Sequence, residues 1–178
     1  CGSPRLYWRG EPPRTLALSP NDAACLACAA AMPGATGSLA AALVWPDAGA
    51  RGALNNLNQR IHRLRRATGA RLVDTGTRLS LAADLVLDAD PLDAFGAEAD
   101  TDFAEWLAGC GYTAQPELAA WVEHMRQSRR SRWHETLARR GAAAEQAGQI
   151  TLALCCAERL AALDPLSEHA HRRLMRLH

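Results

Sequence analysis

The stretch Gly52-Ala53-Leu54-Asn55-Asn56-Leu57-Asn58-Gln59-Arg60-Ile61-His62-Arg63-Leu64-Arg65-Arg66 decides the fold. Leu54, Leu57, Ile61 and Leu64 recur at intervals of three and four, the spacing of one face of an α-helix. At about 100° per residue the opposite face carries Asn55, Gln59, His62, Arg63 and Arg66, with Asn56 and Arg60 flanking it. A solvated helix face normally mixes acids with bases; this one has no acid. Amides pair with the edge of adenine, Arg with that of guanine, and Arg also neutralises phosphate. The helix is expected over about 52–68, stopped by Gly69.

Working outward, Leu6-Tyr7-Trp8, a turn at Glu11-Pro12-Pro13 and Thr15-Leu16-Ala17-Leu18 predict a short antiparallel pair. Ser19-Pro20-Asn21-Asp22 opens a first helix, with Ser at N-cap, Pro at N1 and an acid at N3; it runs to about Met32. Ser38 is expected to cap a second helix, Leu39 to Val44, stopped at Trp45-Pro46. After the third helix, Arg71-Leu72-Val73-Asp74, a turn at Gly76 and Arg78-Leu79-Ser80-Leu81 predict a hairpin, and Leu85-Val86-Leu87-Asp88 another extended stretch. Strands, three helices and a hairpin make the order of a winged helix-turn-helix. In that fold Arg71 and Arg78 bracket the wing where it would meet the DNA backbone or minor groove.

From Pro91 onward only helices are expected: a segment from Asp93 to Phe103, a long pattern from Glu117, an Ala-rich stretch between Gly141 and Gly148, then Ile150 to Leu163 and one opened by Ser167-Glu168. Setting Pro165 near the end of a roughly 34-residue tetratricopeptide unit starts that unit at His134, with Gly141 and Ala153 where its helices cross. Ala144 and Ala157 replace its large residues, so the match is partial. The fold class is therefore mainly α with small β elements. A winged helix-turn-helix domain is expected over 1–90 and an all-α, TPR-like module over 91–178. The chain begins at Cys1 and ends inside a helical pattern, so a longer polypeptide is expected.

Charge follows the same division. All twenty basic residues are Arg. Between Ala48 and Val73 there are six Arg and no acid; between Leu79 and Met125 there are ten acids and no Arg. One segment is suited to a polyanion and the next is not. The net charge of +1 conceals this arrangement. The Ala, Leu and Arg bias is the composition of a GC-rich bacterial genome.

Other chemistry finds little support. No apolar run approaches a membrane span. Gly34-Ala35-Thr36-Gly37-Ser38 has no Lys and is no phosphate loop; six His are dispersed, and His169 with His171 lacks a third ligand. Cys25 and Cys28 sit inside an Ala-rich helix with no second pair at finger spacing, so they are expected as reduced, buried core thiols without zinc. Vicinal Cys155-Cys156 reads the same way, and a reducing cytoplasm suits all of them. No catalysis, cofactor or metal is expected.

Leu43-Val44-Trp45-Pro46-Asp47, followed by Arg51 and by Asn55 through Arg66, resembles the winged helix of the antibiotic-regulatory-protein (SARP, AfsR/DnrI-like) transcriptional activators, whose DNA-binding domain is of the OmpR/PhoB type. Asp88-Ala89-Asp90 with Phe95, Trp133, and Leu163-Asp164-Pro165-Leu166-Ser167-Glu168-His169-Ala170 with Leu174-Met175 look like the bacterial transcriptional activator domain that follows it. The resemblance implies binding of double-stranded DNA at direct repeats, recruitment of RNA polymerase, and further modules on the same polypeptide; a homodimer is a second possibility for the helical surface. Expected base-edge residues are Asn55, Gln59, His62 and Arg63. Expected phosphate and wing residues are Arg51, Asn56, Arg60, Arg66, Arg71 and Arg78. The alternative is a signalling scaffold whose winged helix no longer binds DNA and whose helical repeats bind protein. It is motivated by the low net charge and by a wing without the Gly-Tyr closure of the family.

Overall fold

In a computed structural model the described residues are 4–8, 14–32, 34–75, 77–83, 85 and 105–177. They form a mainly helical structure with two small antiparallel hairpins. The expected turns at Glu11-Pro12-Pro13 and Gly76, most of the stretch Leu85–Asp88, and the segment Asp93–Phe103 lie outside the described residues.

Strand β1 (Arg5–Trp8) pairs with β2 (Arg14–Ala17), bringing half-buried Leu6 opposite Leu16. Helix α1 (Pro20–Ala31) starts as its sequence dictates: Ser19 Oγ accepts the Asp22 amide, and Pro20 fills the first turn. Residues 23–29 are buried without a break, because Ala and Cys are small enough for neighbours to close on every side. Helix α2 (Gly37–Val44) is capped by Thr36, whose Oγ accepts the Leu39 amide at 3.3 Å, and not by Ser38. A 3-10 turn, Pro46–Ala48, then leads into α3 (Gly49–Thr68), about one turn longer than its apolar spacing predicts. Gly69, at φ 73°, closes α3 in the left-handed region with its amide on Arg65 O at 2.8 Å.

Strands β3 (Val73–Thr75) and β4 (Leu79–Leu81) pair with Asp74 opposite Ser80, which turns Val73 and Leu79 into the core. The Leu79 amide donates to Ala35 O at 2.8 Å, fastening this hairpin to the α1–α2 connection.

The first core gathers Cys25, Cys28, Val44, Leu57, Leu64, Leu72, Val73 and Leu79, and it reaches beyond the expected boundary near Asp90. Cys110, Tyr112, Leu118 and Val122 belong to it; Tyr112 donates its hydroxyl to Pro20 O at 2.9 Å, and Gln115 Nε2 donates to Val44 O at 2.7 Å. The structure divides into one unit of residues 1–88 with 104–123 and another of 89–103 with 124–178.

Helix α4 (Pro116–Gln146) supplies its first residues to the first unit. It runs through Gly141 without the interruption that the sequence suggests there. In the second unit α4, α5 (Ile150–Leu163) and α6 (Glu168–Leu177) bury Trp133, Leu137, Cys156, Leu160 and Ala170. Gly141 is buried against α5 and α6: a Cβ there would lie 3.1 Å from Cys156 Cβ and 3.0 Å from Arg173 Nη2. The last helix opens as expected, with the Ala170 amide on Ser167 Oγ at 3.3 Å. Among the described residues no helix is long and apolar enough to cross a membrane.

Candidate nucleic-acid interface

Helix α3 has the two faces its spacing requires. Leu57 and Leu64 are buried and Leu54 and Ile61 half-buried, while Asn55, Gln59, His62, Arg63 and Arg66 are exposed. Arg51 is exposed two residues into the helix; Asn56 and Arg60 are half-buried on a flank. Over the thirteen residues from Leu54 to Arg66, α3 thus presents amide and guanidinium groups on a rod seated by its leucines.

The cations are not equivalent. Arg63 Nη2 lies 2.5 Å from Asp22 Oδ2, and Arg60 Nη1 lies 3.6 Å from Asp22 Oδ1. The side chain of Asp22 is only 4% exposed, so α1 presents a buried carboxylate to that flank of α3. Arg71 pairs with Asp74 at 2.9 Å, but both side chains are half exposed or more, and such a pair exchanges readily for another anion. Arg78 is exposed, with its guanidinium passing over Gly34. Arg51 and Arg66 make no hydrogen bond or ion pair with the described residues.

Two features escaped the sequence. One is Asp22, legible only as a first-turn acid; its partner Arg63 lies 41 residues away. The other is a groove of about 410 Å³ where the N-terminus of α2, the flank of α3 and the β3–β4 hairpin converge. Thr36, Ser38, Asn58, Thr75 and Thr77 line it with neutral hydrogen-bonding groups. The runs of small polar residues were the available signal, though turns have the same composition.

Cys25 and Cys28 are buried free thiols. Burial pushes Cys25 up to about 12, reinforced by the neighbouring Cys28 and Asp22 charges, and burial alone takes Cys28 to about 12. Thiolate is the nucleophile and metal ligand, so neither residue offers one near neutral pH. Among the described residues no cluster of three or more His, Cys, Asp or Glu could hold a metal ion.

No family model, curated protein or solved structure matches the chain.

Proposed function

We propose that this chain is a sequence-specific DNA-binding transcriptional regulator, an activator of the SARP kind, with a winged helix-turn-helix over the first unit. Helix α3 enters the major groove with Asn55, Gln59 and His62 at base edges. Arg51, Arg66, Arg71 and Arg78 bind phosphates on either side, Arg71 and Arg78 from the wing. The TPR-like helices α4 to α6 meet protein, with RNA polymerase or further modules of the polypeptide as partners. The observation that carries this reading is the exposed face of α3, acid-free over its whole length and opposite the buried Leu57 and Leu64.

Titration of the whole chain against a mixed-sequence duplex at several salt concentrations tests it. Each phosphate contact contributes about −0.9 to the slope of log K against log[salt], so four arginines give about −3.6. A flat response, or no binding at low salt, rejects DNA binding.

That outcome would favour a protein-binding scaffold, for which there is a specific observation. Leu166 is 94% exposed and Met175 72% exposed in the second unit, large apolar groups available to a protein partner.

A further inference from the structure

Asp22 does more than support the Ser19 cap of α1. It receives the Ser19 hydroxyl at 2.5 Å and Arg63 Nη2 at 2.5 Å. Its Oδ1 accepts no hydrogen bond from the described residues and stands 3.6 Å from Arg60 Nη1, which also donates to Ser19 Oγ at 3.5 Å. Capping needs an oxygen, not a charge; Asn at this position would also accept the serine hydroxyl. Burying an ionised carboxylate carries a desolvation cost that a single hydroxyl and the N-terminus of α1 offset only in part, leaving the rest to its cationic partners. Its presence at 3% exposure therefore concerns the arginines of α3.

Those arginines stand one turn apart on the flank of α3, beside the amide face. Released, each guanidinium would neutralise a phosphate of any sequence, because phosphate contacts position a protein without reading bases. Held by a buried carboxylate, they cannot leave without stranding that charge.

We propose that Asp22 is a specificity-determining residue, withholding Arg60 and Arg63 from DNA so that Asn55, Gln59 and His62 dominate what α3 recognises. Arg60 and Arg63 then act as positioning residues that bind α3 to the foot of α1. Specificity is the ratio of specific to nonspecific affinity, and this arrangement lowers the nonspecific part. The inference rests on the DNA-binding reading.

The experiment uses the whole chain and a mixed-sequence duplex. Asp22→Asn keeps the cap and frees two cations, so binding tightens and the salt slope steepens by about 0.9 to 1.8. In an Arg60→Ala/Arg63→Ala background the same substitution leaves the slope where it was. A loss of packing alone would lower the melting temperature in both backgrounds without moving the slope. Should Asp22→Asn lose its cooperative melt, Arg63→Gln, which can still hydrogen-bond to Asp22, takes its place beside Arg66→Ala. Arg63→Gln should keep the parent slope, while Arg66→Ala should reduce its magnitude by about 0.9. A parent that binds, with Asp22→Asn at the parent slope or Arg63→Gln as costly as Arg66→Ala, overturns the role of Asp22 alone. Absence of binding by parent and Asp22→Asn alike overturns the DNA reading, and this inference with it.

Discussion

Arg173 is 8% exposed in the second unit, and its Nε donates to Glu145 Oε1 while Arg176 Nη2 reaches Glu145 Oε2 at 3.0 Å. Gly141 makes room for that guanidinium on α4. The hydrogen bond from Arg173 holds the Glu145 carboxyl below its ordinary 4.5, and the charges of Arg173 and Arg176 act in the same direction. A carboxylate depressed in the folded state contributes stability that is complete above its unfolded value, near 4.5, and lost as pH falls through the folded one. Glu145→Gln should therefore destabilise the second unit at neutral pH, and the gap to the parent should narrow when the pH is taken well below 4.5. Urea midpoints of both proteins at the two pH values decide it. A gap that persists in acid would mean that Glu145 acts through packing and not through charge.

At the scale of the element, α3 is a rod whose faces have separate duties, and two substitutions two residues apart separate them. Leu57 is 1% exposed, and Leu57→Ala should cost about 2–5 kcal/mol through lost burial and the cavity it leaves. Gln59→Ala, on the exposed face, should change stability by no more than about 0.5 kcal/mol. If α3 reads DNA as proposed, its effect belongs instead to discrimination between duplexes, where losing a paired amide costs about 1–3 kcal/mol. Denaturant curves and duplex titrations of both variants measure the two effects. Comparable stability losses would show that the helix is seated differently. The spacing of Leu54, Leu57, Ile61 and Leu64 made these faces legible, since helical periodicity is a property of neighbours in sequence. The starts of α2 and α3 were less so. Thr36 and Ser38 are both good caps, and the turn at Pro46–Ala48 with Gly49 at φ 64° decides where α3 begins.

The whole molecule divides elsewhere than the change in composition suggests. Acidic character begins near Asp84, yet residues 104–123 belong to the first unit. Leu118 is fully buried and Val122 is 1% exposed in the core that holds Leu57. Fully burying such a side chain is worth about 1.5–3 kcal/mol, so the pair accounts for a large share of a small domain's stability. A fragment ending at Asp90 should unfold at lower urea than one ending at Glu123, and should bind a hydrophobic dye where the longer fragment does not. Equal midpoints would mean that residues 1–90 complete their core without residues 105–123.

The sequence by itself determined what depends on near neighbours: the caps at Ser19, Gly69 and Ser167, the two faces of α3, the two hairpins, and the helices around Asp164-Pro165. It also placed all the α3 cations in one acid-free stretch. Tertiary structure decided which of those cations a carboxylate holds, because Asp22 meets Arg63 across 41 residues and no local pattern encodes that meeting. It likewise decided the extent of the first core, through Tyr112 on Pro20 and Gln115 on Val44, 92 and 71 residues apart. Periodicity says which way a side chain points relative to its own helix axis. Only packing brings another segment to that face, and with it the charge or hydrogen bond that sets what the side chain can do.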